Sequence, residues 1–64
     1  MTGLTRLRLT RLKTGLSQWH VAKETEISQS LISLYERNLK EPTLGHKKIL
    51  AKLYCKKVKE LWKS

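Results

Sequence analysis

Leu16-Ser17-Gln18-Trp19-His20-Val21-Ala22-Lys23-Glu24-Thr25-Glu26-Ile27-Ser28-Gln29-Ser30-Leu31-Ile32-Ser33-Leu34-Tyr35-Glu36-Arg37 is the stretch on which the fold turns. Ser17 and Ser28 each stand before a run of helical periodicity. Each is expected as an N-cap, a hydroxyl accepting a hydrogen bond from an orphan amide of the first turn. Val21 and Ala22 are the core side of the first of these helices, which ends near Thr25. Leu31, Ile32 and Tyr35 fall within about 100° of one another on a 3.6-residue wheel and are the buried side of the second. That second helix ends at Arg37, and Asn38 follows, a residue that tolerates the left-handed cap conformation. Only Glu26-Ile27-Ser28 joins the pair, and so short a connection forces a sharp crossing rather than an antiparallel hairpin.

The side of the second helix opposite its apolar residues carries Gln29, Ser30, Ser33 and Arg37. A helix with such a face fits the major groove of B-DNA, which is about as wide as an α-helix. Gln29 suits a bidentate pair with adenine, Ser30 and Ser33 exchange hydrogen bonds with several bases, and Leu34 at the border of the face suits a thymine methyl.

Outward from this core, the first helix is expected over about Leu4 to Lys13, with Leu4, Leu7 and Arg11 on one stripe and Gly15 as its left-handed cap. Leu9 and Leu12 lie on a different face, as stray surface leucines or a contact with another chain. Pro42 breaks the chain and Thr43 caps a fourth helix from about Leu44 to Tyr54. Its apolar side is Ile49 or Leu50 with Leu53 and Tyr54, and Ala51 allows close approach. A last helix, about Val58 to Trp62, lays Val58, Leu61 and Trp62 against the rest. The expected architecture is all-α: five short helices around a small core, with residues 1–64 read as a single domain.

The chain carries 14 Lys and Arg against 5 Asp and Glu, a formal charge of +9 with a pI near 10.1. That excess favours a polyanionic partner. No apolar run approaches the roughly 20 residues that span a bilayer, and no signal peptide is read at the N-terminus. The lone Cys55 fits a reducing, intracellular setting and reads as a partly buried apolar residue rather than a nucleophile. His20 and His46 stand apart from any ligand cluster and read as surface residues, so no metal or other cofactor is expected. An enzyme is not expected either: there is no phosphate-binding loop or catalytic carboxylate pair, and a chain of this size has no room for the deep pocket of a small-molecule ligand. Arg6, Arg8, Lys47, Lys48 and Lys52 read as general surface charge, Trp19 as a half-exposed packing residue with a phosphate-side stacker as the alternative, and Trp62 as a lid on the core with a dimer contact as the alternative.

Gly15-Leu16-Ser17-Gln18, Val21-Ala22, Ile27-Ser28, Ile32-Ser33, Glu36-Arg37-Asn38 and Pro42 resemble, in order and spacing, the lambda-repressor/Cro-type helix-turn-helix family, the XRE-like regulators. The resemblance extends to Ala51 and Leu61 and so covers nearly the whole chain. It implies five helices and operator binding as a dimer. It further implies that Gln18 touches a backbone phosphate, that Gln29, Ser30, Ser33 and Leu34 read bases, and that Arg37, Asn38 and Lys40 hold phosphates. The chain departs from the family pattern at Glu26 and Asn38, where Gly is usual. It also departs at Cys55 and Lys57, where Gly and a Ser or Thr cap are usual, and at Trp19 and His20, which are usually small or acidic. A left-handed Glu26 costs about 1 kcal/mol.

Arg11, in the middle of an apolar stripe, needs a carboxylate partner. Glu36, at the edge of the buried side of the third helix, is the expected one. The pair resembles one common in the family and makes both residues fold determinants rather than DNA contacts. The expected function is sequence-specific binding of double-stranded DNA by a transcriptional regulator, a repressor of a bacterial or phage-infected cytoplasm. Two copies would set their third helices in successive major grooves about 34 Å apart on a palindrome. A second reading, motivated by Leu9, Leu12 and Trp62, is a protein-interaction module such as an antitoxin with residual DNA binding. A third, electrostatic binding to RNA or an anionic membrane, lacks the single exposed amphipathic face that membrane binding needs.

Overall fold

The computed structural model describes residues 5–62. Among these the chain forms five helices and no strand: α1 (Arg6–Thr14), α2 (Gln18–Thr25), α3 (Gln29–Glu36), α4 (Leu44–Leu53) and α5 (Val58–Leu61). Helix α1 packs on α3 and α5, α2 on α3 and α4, and α4 on α5.

Four of the five helices start on a hydroxyl. Thr5, Ser17, Ser28 and Thr43 are extended, and each side chain accepts from the amide three residues on: Arg8, His20, Leu31 and His46 respectively. Each bond satisfies one of the orphan donors of a first turn. Helix α1 therefore begins two residues later than the apolar pattern suggested, and Leu4, expected on its core stripe, lies outside the described residues. The short α5 starts differently: the Glu60 carboxylate accepts from the backbone amide of Lys57 at 2.7 Å.

The helix ends share a second device. Gly15, Asn38 and Cys55 all lie in the left-handed region, at φ 83°, 60° and 56°. In each case the following amide reaches back to a carbonyl in the last turn: Leu16 to Arg11, Leu39 to Leu34 and Lys56 to Ala51. This is the Schellman closure. Helix α2 ends on the simpler left-handed cap, with Glu26 at φ 60° and its amide donating to the Ala22 carbonyl at 2.8 Å. Helix α3 ends at Glu36, one residue earlier than expected, with Arg37 as its cap.

The core comprises Leu7, Val21, Ile27, Ile32, Tyr35, Leu50, Ala51, Tyr54 and Leu61, with Leu16, Ala22, Leu31, Leu53, Val58 and Trp62 packed partly buried against it. Of the two candidates on α4, Leu50 is buried and Ile49 is exposed. Leu9 and Leu12 are exposed. The turn between α2 and α3 is fixed from inside. The buried Thr25 hydroxyl donates to the Val21 carbonyl at 2.7 Å and accepts from the Ile27 amide at 3.3 Å. Ile27 itself is an apolar plug beneath the turn. The crossing of α2 and α3 is thus set by side chains at the turn as well as by its length.

Candidate nucleic-acid interface

Both helices of the crossing begin with the same dipeptide, serine then glutamine: Ser17-Gln18 and Ser28-Gln29. In each the serine caps and the glutamine occupies the first helical position. The fold brings these two positions together. The Gln29 Nε2 donates to Gln18 Oε1 at 2.6 Å, and Gln18 Nε2 donates to Glu36 Oε1 at 3.0 Å. Both glutamines are half-buried.

Glu36 anchors this chain of hydrogen bonds from inside the fold. It is almost fully buried, and its other oxygen, Oε2, accepts from Arg11 Nε at 2.7 Å. Arg11 is buried too, and its Nη1 donates to the Leu16 carbonyl at 2.8 Å. Each charge in this pair is therefore met by a partner and at least one further hydrogen bond, the condition on which a buried ion pair depends. The Thr5 hydroxyl adds a bond to the Glu36 carbonyl at 2.6 Å. Tyr54 lies in the same interior, and its hydroxyl is buried with no partner among the described residues. Burial, and secondarily the negative charge of Glu36 against the opposing charge of Arg11, pushes its pKa up to about 12.

Of the other residues expected to read bases, Ser30 is exposed, and Ser33 and Leu34 are half-buried along α3. Arg37, Asn38 and Lys40 are all exposed in the connection from α3 to α4. Arg37 lies back along its own helix, with Nε directed at the Ser33 carbonyl. The Gln18 amide, expected on a phosphate, is engaged on two sides by Glu36 and Gln29, and one of its N–H groups remains uncommitted. No local pattern signals the Gln18–Gln29 contact: the turn joins the end of α2 to the start of α3, and only the crossing of the two helices brings their starts together.

Three surface assignments change. Trp19, read as half-exposed packing in preference to a phosphate-side stacker, is 71% exposed and stands next to Gln18 on the first turn of α2. His46, expected at the surface, is half-buried, and its Nδ1 lies 2.7 Å from the Tyr35 hydroxyl, tying α4 to α3. Cys55, expected partly buried, is exposed at the left-handed position that closes α4. Among the described residues no group of three His, Cys, Asp or Glu is placed to hold a metal, and no helix is long and apolar enough to cross a membrane.

Two capped helices crossing at a tight turn, the second presenting a polar, half-exposed face, define a helix-turn-helix unit. Comparison with protein families matches residues 7–61 to the family described as helix-turn-helix. The chain belongs to that family, the Cro-type, XRE-like branch, whose members are sequence-specific DNA-binding transcription regulators, and its five-helix architecture is that of a lambda-repressor-like fold. No match was found among curated proteins.

Proposed function

We propose that residues 1–64 act as one DNA-binding domain of a transcriptional repressor that reads a major groove with α3. The observation that carries this reading is the Gln18–Gln29 hydrogen bond at the joint start of α2 and α3. It holds a base-reading amide ready at the end of the helix that enters a groove first. Ser30, Ser33 and Leu34 continue the face along α3, and Leu34 is suited to a thymine methyl. The uncommitted N–H of Gln18 is available to a phosphate, at a capped helix start whose dipole also favours an anion. Arg37, Asn38 and Lys40, exposed beyond α3, flank the groove as further phosphate contacts.

Two copies on a palindrome are the proposed assembly, in the cytoplasm of a bacterial or phage-infected cell. Selection of duplexes from a random library tests the reading. An enriched palindromic site, at which Gln29→Ala relaxes the preference at particular base pairs, is the expected result. If random duplex binds as tightly as every selected site at physiological salt, base reading by α3 is wrong.

A second reading has one observation in its favour. A groove of about 820 Å³ runs between α1 and α5, lined by Leu9, Leu61 and Trp62 and edged by Arg6, Lys13, Lys56 and Lys59. It favours a protein partner in addition to DNA, as in an antitoxin. Affinity capture from the native cell that recovers no stable partner at all would remove this reading.

A further inference from the structure

The groove between α1 and α5 joins two kinds of surface. Part of its lining is apolar: Leu9 is exposed on α1, and Trp62 is half-buried beside the buried Leu61. The threonines that share it keep no hydroxyl proton free. Thr10 donates to the Arg6 carbonyl at 2.8 Å, and Thr14 donates to the Thr10 carbonyl at 2.7 Å. The edges carry Arg6 and Lys13 on α1, and Lys56 and Lys59 at α5, all four exposed. Among the described residues none of these cations is in an ion pair. They face a single acid of the lining, Glu60, whose Oε1 already accepts from the Lys57 amide.

Apolar lining and cationic edges together narrow the occupant. A nucleic-acid backbone satisfies the edges but sets charged phosphates over leucine and tryptophan. A bilayer takes up an apolar face that enters its headgroup layer, and this one is recessed between two helices. A second copy of the chain brings its own excess of cations, since the net charge is +9. There is no strand among the described residues, so no sheet edge offers hydrogen bonds to an extended peptide. A helix satisfies its own backbone and can carry an apolar stripe between two charged flanks. Helix α1 has 9 residues, about 13 Å of length, so two to three turns of a partner helix cover it.

We propose that the α1–α5 groove takes an acidic amphipathic helix of a partner protein, with its apolar stripe on Leu9 and Trp62 and its carboxylates on the flanking cations. The groove uses no residue of α2 or α3, so the partner leaves both helices open to DNA. The inference rests on the reading that this chain has a protein partner as well as DNA.

The test selects peptides from a displayed library of short helices against the full chain and maps each one by backbone NMR. Recovered peptides should carry apolar residues at i, i+3 or i+4, and i+7, flanked by Asp or Glu, and should shift the amides of α1 and α5. Variants are compared only once each is shown to melt cooperatively. Lys13→Glu with Lys59→Glu should weaken the peptides about tenfold. Lys23→Glu with Lys48→Glu makes the same charge change on α2 and α4 and should weaken them by about twofold at most, since salt screens distant charges. Leu9→Asn alters no charge and should weaken them too. Equal losses in the two double variants would mean that net charge alone drives binding, and would overturn the groove. Enriched peptides that lack the acidic pattern, or no enrichment at all, overturn the acidic helix. A duplex that displaces the peptides and protects the α1 and α5 amides makes the groove a DNA surface and overturns it as well. Capture from the native cell separates this inference from the reading beneath it. A partner still held by the Lys13→Glu, Lys59→Glu chain overturns the groove and leaves the protein partner standing, whereas no partner for the wild type removes both.

Discussion

Glu26 is the residue at which this chain departs most visibly from what its backbone wants. It lies at φ 60°, exposed, where a Cβ crowds the following carbonyl and glycine does not. Among the described residues the Glu26 carboxylate has no ion-pair partner to offset that strain. Glu26→Gly should therefore raise stability by about 1 kcal/mol in urea unfolding, despite glycine's extra freedom in the unfolded chain. A loss of stability would show that the glutamate contributes an interaction outside the backbone.

Tyr54 poses the opposite problem, a polar atom with no local use. Its folded-state pKa of about 12 lies above the ordinary 10.0. The folded protein thus favours the neutral phenol. Whatever stability that preference contributes is complete below pH 10 and declines as pH rises from 10 to 12. Tyr54→Phe removes a buried unpaired hydroxyl, and it should leave neutral-pH stability unchanged or raise it by up to about 1 kcal/mol. The gap in stability between Tyr54→Phe and wild type should widen across pH 10–12. A gap that stays constant there would mean the phenol is not held neutral by the fold.

At the scale of elements, α1 and α3 are joined by Arg11 and Glu36, and their loss should not be additive. Removing one partner from a buried pair strands a charge and costs about 3–5 kcal/mol. A domain of this size has only ~3–10 kcal/mol in total, at the usual stability per residue. Arg11→Met should therefore be largely unfolded at room temperature by circular dichroism, whereas Arg11→Met with Glu36→Leu should regain a cooperative melt. If the single variant melts near the wild-type temperature, the pair is not what holds α1 in place.

The helices were legible in the sequence because their boundaries are made by local chemistry. Ser17, Ser28 and Thr43 cap where they were expected to, Gly15 and Asn38 sit left-handed as their positions after helical runs required, and Glu26 does so where the family resemblance implied it. Thr5 was passed over because the apolar Leu4 before it extended the pattern backwards. The choice between Ile49 and Leu50 was open because adjacent residues on a helix differ by 100° and either completes an apolar side; the packing of α4 on α2 and α5 decides it. The surroundings of His46 depend on Tyr35, a residue on another helix, which no local pattern carries. For Trp19, packing was preferred to a phosphate-side role, but the residue stands exposed on the first turn of α2 beside Gln18. In the candidate site the residue types were readable and the pairing of the two glutamines was not, since it arises only when the two helix starts meet.

For the whole molecule, size and charge set the terms of DNA binding. The described residues extend 29 Å along their longest axis, less than the ~34 Å that separates successive major grooves on one face of the duplex. Although the net charge is +9, only cations that touch phosphates release counterions. If Arg37 and Lys40 are the ionic contacts, the slope of log affinity against log salt should be about −1.8 per copy. Lys40→Ala should make it shallower by about 0.9 per copy and weaken binding to all sequences alike. An unchanged slope would place Lys40 off the DNA, and a change in base preference would give it a reading role.

The placement of the two tryptophans has a practical consequence. Trp19 is open to solvent at the start of α2, whereas Trp62 is half-buried, with the Lys47 ammonium 5.9 Å from its ring centre. The protein thus carries two tryptophan fluorophores that see different events. Emission from Trp19 should be red-shifted and readily quenched by iodide, and a duplex laid along α2 should shield it. Emission from Trp62 should change little on binding and shift only when α5 leaves the core. Docking and unfolding can then be followed separately in one cuvette, with no dye attached to the chain.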